Sequence, residues 1–230
     1  MKPISFLTWN LAMLERSTEA PHSWSQEHTE ATVRDFVLEF DPDIVLFQEL
    51  PRIVPYIETH AMIPANPMSH SGNLATLVRH DLLATGPTHV VVKGCALLTT
   101  FGEITVANVH FESGAGGTSA RLEQAARVVE ASPTSNLLIV GDTNTRVDEE
   151  HYFADAGLMG EKPPSPTWNS RRNRFRADIP EFTAYFTRWF ATDGLEVAQL
   201  KVWDEPLLHE SKSFFLSDHY GLSGSVAMRA

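Results

Sequence analysis

Short apolar runs that end in a polar, chemically versatile residue recur along this chain. Each run is rich in β-branched or aromatic residues and is bounded by turn formers, which is the pattern of a buried β-strand. The clearest runs are residues 4–9 before Asn10, residues 44–47 before Gln48 and Glu49, residues 104–109 before His110, and residues 137–140 before Asp142 and Asn144. The pattern therefore predicts strands that carry polar side chains at their ends.

Two segments between these runs have the spacing of an amphipathic helix. Apolar residues at i, i+3, i+4 and i+7 form one stripe that can pack on a core. The stripes consist of Val33, Phe36, Val37 and Phe40 in the first segment, and of Leu122, Ala125, Ala126 and Val129 in the second. Side chains able to cap the helix starts are Ser23 or Ser25, and Thr118 or Ser119.

Further strands are expected around residues 74–79, 90–99, 184–190, 195–203 and 221–228. A strand-rich mixture of this kind favours two sheets packed face to face with helices outside, which is an α/β sandwich. A chain of 230 residues fits one large domain, so we assign residues 1–230 to a single unit.

The polar strand ends are the candidate functional residues. Sites in α/β proteins form where several strands end at one edge of a sheet. If the predicted strands share such an edge, the residues that converge there are Asn10, Glu49, His110, Asp142 and Asn144. The sequence Ser217-Asp218-His219 supplies a further group near the C-terminus. Recurrence at several strand ends argues against ordinary turn residues, which would scatter.

Composition narrows the possible environments. The net charge of −11 argues against a general nucleic-acid coat but not against a site that gathers carboxylates around a divalent cation. The single cysteine, Cys95, cannot form an internal disulfide and is interpreted as a core residue. Because the sequence has neither an apolar run of about 20 residues nor a signal-peptide pattern, we expect a cytoplasmic protein without membrane contact.

The candidate groups are carboxylates, amides and imidazoles. The sequence lacks the nucleophile elbow G-x-S-x-G, the zinc motif H-E-x-x-H, a C-x-x-C pair and nucleotide-binding glycine loops. One or two carboxylates suit Mg²⁺, imidazoles and amides can stabilise phosphoryl oxygens, and an aspartate can activate water. This inventory favours hydrolysis of a phosphate ester.

Four motifs occur in the order typical of the endonuclease/exonuclease/phosphatase family, which the chain resembles between residues 8 and 219. They are Thr8-Trp9-Asn10, Gln48-Glu49, Gly141-Asp142-Thr143-Asn144 and Ser217-Asp218-His219. The segments around residues 110–113, 141–146, 167–169 and 217–222 are similar to the 5′-tyrosyl-DNA phosphodiesterase branch. The resemblance implies a DNase I-like, four-layered α/β sandwich.

The resemblance also implies roles for individual residues. Glu49 would bind Mg²⁺, with Mn²⁺ as the alternative ion, and Asp142 would position the attacking water. The other catalytic candidates are Asn10, His110, Asn144, Asp218 and His219. Substrate-binding candidates are Ser113, Arg146, Trp168 and Arg188. The implied substrate is a phosphodiester adduct at a single-stranded DNA 5′ end, which would connect the protein to DNA repair. We expect a monomer.

Two positions depart from the branch and keep alternatives open. Ala12 stands where the branch has an acidic residue, and Thr187 stands where the family has an aspartate that orients the histidine. The alternatives are another nuclease or phosphatase of the family, such as an exonuclease, abasic endonuclease, deadenylase or small-ester phosphatase, and a binding module that has lost turnover. The basic segment 170–176 is either a solvated loop or a clamp on a nucleic-acid backbone.

Overall fold

The computed structural model describes residues 2–51, 56–64 and 73–229. Its α-helices are α1 (Gln26–Phe40), α2 (His80–Leu83), α3 (Thr118–Ala131) and α4 (Glu150–Asp155). Its β-strands, in chain order, are β1 (Ile4–Asn10), β2 (Ile44–Leu50), β3 (His60–Pro64), β4 (Asn73–Arg79), β5 (Thr88–Val92), β6 (Ala96–Phe101), β7 (Ile104–His110), β8 (Asn136–Asp142), β9 (Leu158–Met159), β10 (Trp168–Asn169), β11 (Thr183–Ala184), β12 (Thr187–Thr192), β13 (Leu195–Trp203), β14 (Leu207–His209), β15 (Lys212–Phe214) and β16 (Gly221–Met228).

Two mixed sheets of six strands each contain most of these strands, while β10 pairs with β11 and β14 pairs with β15. The first has the order β13-β16-β1-β2-β4-β3 and the second has the order β5-β6-β7-β8-β12-β9. At the centre of each sheet lies one parallel pair, β1 with β2 and β7 with β8. Parallel neighbours need a crossover connection, and α1 and α3 lie within the connecting segments. The central parallel pairs therefore end at the same side of their sheets.

Three apolar clusters separate four structural layers. The middle cluster joins the inner faces of the two sheets, for example through Phe6 and Leu46 of the first and Val106 and Leu138 of the second. The second cluster packs α1 on the first sheet, and the third packs α3 on the second sheet. The order is helix, sheet, sheet, helix, which confirms the predicted sandwich.

The element predictions are largely confirmed. Ser25 caps α1 by accepting a hydrogen bond from the backbone N–H of His28, so the second of the two cap alternatives is correct. The helix predicted after residue 118 is α3, but its buried stripe includes Val128 while Val129 is 37% exposed. The face was thus predicted one residue out of phase, because the core side also accommodates the buried Arg121.

Two predicted strands are wrong in extent. The run around residues 184–190 is divided between β11, which ends at Ala184, and β12, which begins at Thr187. The run around residues 90–99 forms two antiparallel strands, β5 and β6, rather than one. Gly94 lies between them with φ of 85°, a conformation that glycine adopts without the cost of a side chain, so the run reverses direction there. The next residue, Cys95, is buried as expected, and burial raises the pKa of its thiol to about 11, which makes it a poor nucleophile.

The inner faces of the central strands change from apolar to polar along their length. In β1 the alternation that points Phe6 inward also points Thr8 and Asn10 inward. In β7 the same alternation places Asn108 and His110 behind Val106. Polar side chains therefore collect between the sheets at the carboxyl ends of the parallel pairs. No helix in the described part of the chain is long and apolar enough to cross a bilayer.

The end of β8 depends on a glycine. A Cβ on Gly141, whose φ is 145°, would lie 2.3 Å from the backbone oxygen of Val109 on the neighbouring strand. We predict that Gly141→Ala lowers the free energy of unfolding by about 3 kcal/mol or more, because the strands must separate.

The matched control is Gly157→Ala. Gly157 also has a positive φ of 76°, but an added Cβ would meet no atom within 4 Å. That variant should lose only the conformational cost of about 1–2 kcal/mol. Urea denaturation of both variants measures the difference, and equal losses would contradict the steric argument.

Candidate active site

A pair of carboxylates from different sheets forms the centre of the candidate site. The amide nitrogen of Asn10 donates to Glu49 Oε1 at 3.0 Å and to Asp142 Oδ2 at 2.9 Å. Asn10 itself is fully buried, and its Oδ1 accepts the backbone N–H of Ala12 at 3.0 Å. One amide therefore holds the two acidic side chains close to each other at the junction between the sheets.

A bulge in β2 directs Glu49 into this junction. Strict alternation would send the side chain after Gln48 to the helix-covered face. The pairing of β2 with β4 shifts by one residue between Phe47 and Leu50, and Glu49 adopts a φ of 49°. An extra residue in one strand re-aims the side chains around it. This left-handed backbone conformation is energetically unfavourable for a glutamate, but it places the Glu49 side chain beside Asn10.

A buried amide layer supports the centre from below. Gln48 Nε2 donates to Asn108 Oδ1 at 2.8 Å, and Asn108 Nδ2 donates in turn to the backbone oxygens of Phe47 and Ala75. This layer crosses from one sheet to the other directly beneath the carboxylates. Sequence reasoning missed Asn108 as a supporting residue. A polar residue inside the otherwise apolar run 104–109 was the signal for it.

Two imidazoles flank Asp142. His110 Nε2 lies 3.5 Å from Asp142 Oδ2 and 3.6 Å from Glu49 Oε1, and His219 Nε2 lies 3.7 Å from Asp142 Oδ2. The register between β7 and β8 pairs His110 with Asp142 directly. On its other side, His219 Nδ1 lies 3.4 Å from the hydroxyl of Thr187. Thr187 thus contacts the imidazole without supplying a negative charge.

The loop that bears His219 is tied to β1. Ser217 Oγ donates to the backbone oxygen of Asn10 at 2.6 Å and accepts the backbone N–H of His219 at 3.1 Å. Trp9 Nε1 donates to the backbone oxygen of His219 at 3.0 Å. The bonds to Asn10 and from Trp9 connect residues 207 and 210 positions apart in sequence. They explain how the C-terminal Ser217-Asp218-His219 segment reaches the strand ends.

Asn144 and Asp218 lie beside the centre with structural contacts of their own. Asn144 Nδ2 donates to the backbone oxygen of Phe111 at 3.1 Å, and its backbone N–H approaches Asp142 Oδ1 at 3.3 Å. Asp218 Oδ2 accepts from Arg176 Nε at 3.0 Å. Both residues are among those that line the cleft above the carboxylates.

This cleft has a volume of about 640 Å³. It is lined by most of the predicted site residues, namely Glu49, His110, Ser113, Asp142, Asn144, Arg146, Trp168, Asp218 and His219. Asn10 lies beneath its floor. Arg188 is not among the lining residues; it is 1% exposed and its Nη1 donates to Glu150 at 2.8 Å.

One wall of the cleft is aromatic. The ring of Trp168 meets His219 edge-on, with centroids 4.8 Å apart, and lies nearly parallel to Phe182 at 5.8 Å. Phe186 lies beneath Arg146, whose guanidinium carbon is 4.4 Å from the ring centroid. Burial lowers the pKa of Arg146, which nevertheless stays charged at any physiological pH. Phe182 was missed by the sequence reasoning, which had no pattern that marks it.

Most arginines of the basic segment 170–176 form ion pairs with nearby carboxylates. Arg172 contacts Asp204, and Arg174 contacts Glu181. Arg176 alone of this segment's arginines lines the cleft, where it contacts Asp218 and Glu15. The segment therefore behaves chiefly as a loop fixed to the surface, with one guanidinium at the cleft.

The donor set fits a divalent cation. Ligand atoms of Glu49, His110 and Asp142 all lie within 4.8 Å of one another. Two carboxylates held this close repel each other, and a cation between them removes that cost. Carboxylate oxygens with remaining positions for water are the environment that Mg²⁺ prefers. The geometry alone does not select one ion among the divalent cations.

The sandwich and this centre together define a DNase I-like hydrolase. Residues 7–219 match the family described as Endonuclease/Exonuclease/phosphatase family, so the chain belongs to that family, as its motifs suggested. Membership confirms the predicted fold class and the prediction of a hydrolase.

Solved structures agree with the fold. D. rerio TDP2 in complex with a single-strand DNA product superposes with a TM-score of 0.73 at 16% identity, covering 99% of this chain and 100% of that one. Truncated Caenorhabditis elegans TDP2 gives 0.70 at 18% identity, with 99% and 98% covered. An endonuclease/exonuclease/phosphatase from Bacteroides vulgatus gives 0.70 at 14% identity, with both chains fully covered at 100%. A comparison with curated protein sequences gave no match.

Beside the cleft, Glu149 is buried against Arg121 and makes a pH-dependent contribution to stability. Burial alone would raise the pKa of the Glu149 carboxyl, but hydrogen bonds from Arg121, Thr118 and the backbone of Arg146 outweigh it and lower the pKa from 4.5 to about 2. A lowered folded-state pKa stabilises the protein above pH 4.5, and this stability is lost as pH falls toward 2.

We predict that Glu149→Gln removes this part of the pH dependence. Urea midpoints measured between pH 5 and pH 2 should fall less steeply in the variant than in the wild type. Asp148→Asn, a change at an exposed neighbour, should retain the wild-type slope. Parallel curves for wild type and Glu149→Gln would contradict the assignment.

Proposed function

We propose that this protein is a Mg²⁺-dependent phosphodiesterase that hydrolyses a phosphodiester at a DNA 5′ end. The observation that carries the proposal is the convergence of Glu49, Asp142 and His219 beneath one cleft, joined through Asn10. These groups match the chemical needs of phosphate-ester hydrolysis, which are a cation site, a base for water and donors for the phosphoryl oxygens.

Each residue has a distinct part in this mechanism. Glu49 would hold the ion, which when bound neutralises charge that develops on the phosphate oxygens. Asp142 orients a water and takes its proton as the water oxygen bonds to phosphorus and the bond to the leaving oxygen breaks. Asn10 keeps the Asp142 carboxylate fixed, and Asn144 with its backbone N–H fixes the other carboxylate oxygen.

Charge on the phosphoryl group is stabilised from two sides. His110 and His219 approach Asp142 from different elements, so both imidazoles border the position that the phosphate would occupy. Asp218, beside His219, keeps Arg176 at the same edge. Hydrogen-bond donors already in place cost no reorganisation during the reaction, which is why their effect on rate is large.

The cleft and the motif resemblance support a DNA 5′ end as the substrate. Ser113 and Arg146 lie along the cleft at positions suited to a phosphate, and Trp168 and Phe182 offer an aromatic surface for a base or a phenol ring. A TDP2 structure with a single-strand DNA product is among the proteins of similar fold. Arg188, held by Glu150 outside the cleft, is assigned a supporting rather than a substrate-contacting part.

The decisive assay uses an oligonucleotide with a 5′-phosphotyrosyl group. We expect release of 5′-phosphate DNA in Mg²⁺ and no release in EDTA. Glu49→Gln and Asp142→Asn should each reduce kcat by about 10²–10⁴, since each removes a group that acts on the reacting atoms. Asp148→Asn, which changes an exposed carboxylate near the same loop, should keep full activity.

Two results separate the alternatives. Activity on abasic DNA, RNA or a small phosphate ester with none on the phosphotyrosyl oligonucleotide would replace the proposed substrate but keep the chemistry. Turnover no greater than background on all of these, unaffected by Glu49→Gln, would favour the binding module that Ala12 and Thr187 suggested.

A further inference from the structure

Two consecutive carboxylates that follow Arg146 each contact a buried arginine. Glu149 pairs with Arg121, and the two side chains are 1% and 0% exposed. Glu150 pairs with Arg188, whose side chain is 1% exposed while that of Glu150 is 34% exposed. The short segment 147–150 is therefore fixed from two directions, by α3 on one side and by β12 on the other.

Arg121 connects this segment to the loop that follows His110. Its Nε donates to Glu149 Oε2 at 2.9 Å, while its Nη1 donates to the backbone oxygens of Glu112 and Gly114, both at 2.9 Å. The fit is close, since a Cβ on Gly117 would lie 2.7 Å from Nη1. Glu112 and Gly114 line the cleft. One guanidinium thus ties the part of the cleft formed by Glu112 and Gly114 to Glu149 in the segment that follows Arg146.

The network reaches Arg146 through its backbone. Glu149 Oε2 accepts the backbone N–H of Arg146 at 3.0 Å. The side chain of Arg146 rests on the Phe186 ring, and its buried Nε has no hydrogen-bond partner among the described residues. The direction in which Arg146 enters the cleft therefore depends on its backbone and on the ring, rather than on a side-chain ion pair.

Stability alone does not explain these two ion pairs, although ionised Glu149 stabilises the fold above pH 4.5. Removing two charges from water costs several kcal/mol per ion, which their mutual attraction often only offsets. The bidentate geometry of a guanidinium does, however, fix direction as well as distance. The value of the network lies in the geometry that it imposes on the cleft.

We propose that the pairs Arg121–Glu149 and Arg188–Glu150 form a positioning device for Arg146, which presents its guanidinium to a phosphate of the bound strand. This proposal rests on the proposed function for the identity of the strand, but the position of Arg146 is a property of the free protein. Arg121 and Arg188 are positioning residues that act through the segment 147–150.

The first measurement needs no substrate. The Nε–Hε proton of Arg146, above the Phe186 ring, should show a ring-current shift in an NMR spectrum, identified by its loss in Arg146→Lys. In Glu150→Gln, and in the charge-neutral double variant Arg121→Gln/Glu149→Gln, we expect that shift to diminish. Asp155→Asn, a change at an exposed carboxylate of α4 outside the segment 147–150, should leave it unchanged. A signal that stays in place in both network variants would overturn the proposal.

The second measurement is binding of a 5′-phosphorylated single-stranded oligonucleotide in EDTA, followed by fluorescence anisotropy. Glu150→Gln should raise Kd about tenfold in the wild-type background, which is the scale of coupling between residues in one network. The same change should alter Kd less than twofold in an Arg146→Ala background. Equal increases in both backgrounds would show a general structural effect and contradict positioning.

The two measurements distinguish the failure of each claim. If the NMR shift depends on the network but the wild type neither binds nor cleaves the oligonucleotide, the positioning device stands and the proposed substrate fails. Glu150→Gln is the primary variant because Glu150 is partly exposed, so the change disturbs a less deeply buried position than a change at Glu149. If the double variant does not fold, the result from Glu150→Gln alone decides.

Discussion

The site depends on two carboxylates that one buried amide holds together. Asn10 donates to Glu49 and to Asp142, so charges that would otherwise repel are kept at a fixed distance at the junction of the two sheets. Three surrounding features serve this constraint: the bulge that turns Glu49 inward, the direct pairing of His110 with Asp142, and the tie from Ser217 to β1. A divalent cation held by Glu49 would offset the repulsion that the fold imposes.

Both sheets contribute strand ends to the site in the same way. Each sheet has a central parallel pair with a helix in the connection, and the carboxyl ends of both pairs meet. Ends of parallel strands are favourable places for polar groups because the strand interiors behind them are fully apolar and rigid. Here the two inner faces lie against each other, so the ends form one shared edge. The amide layer of Gln48 and Asn108 marks the depth at which the interior changes from apolar to polar.

Apolar runs with polar ends were sufficient to predict the sandwich and the strand-end residues of the cleft, because such runs report directly on buried strands. Ser113, Arg146 and Trp168 were predicted from the motif resemblance instead. It could not place Glu49 on the correct face, since the bulge depends on the register with β4, a partner that the local pattern does not specify. Alternation could have shown that Thr187 and Arg188 point to opposite sides of β12, and the structure places Thr187 beside His219 and Arg188 against Glu150. The ion pair of Arg121 with Glu149 joins residues 28 positions apart and required the packed structure.

Calorimetric titration of the purified protein with Mg²⁺ and with Mn²⁺ tests most directly whether Glu49, with Asp142 beside it, forms a cation site. We predict saturable binding of one ion per chain that is lost in Glu49→Gln, weakened in Asp142→Asn and unchanged in Asp148→Asn. Binding that is the same in wild type and Glu49→Gln, or that is absent from the wild type while the protein remains folded, would contradict the central claim.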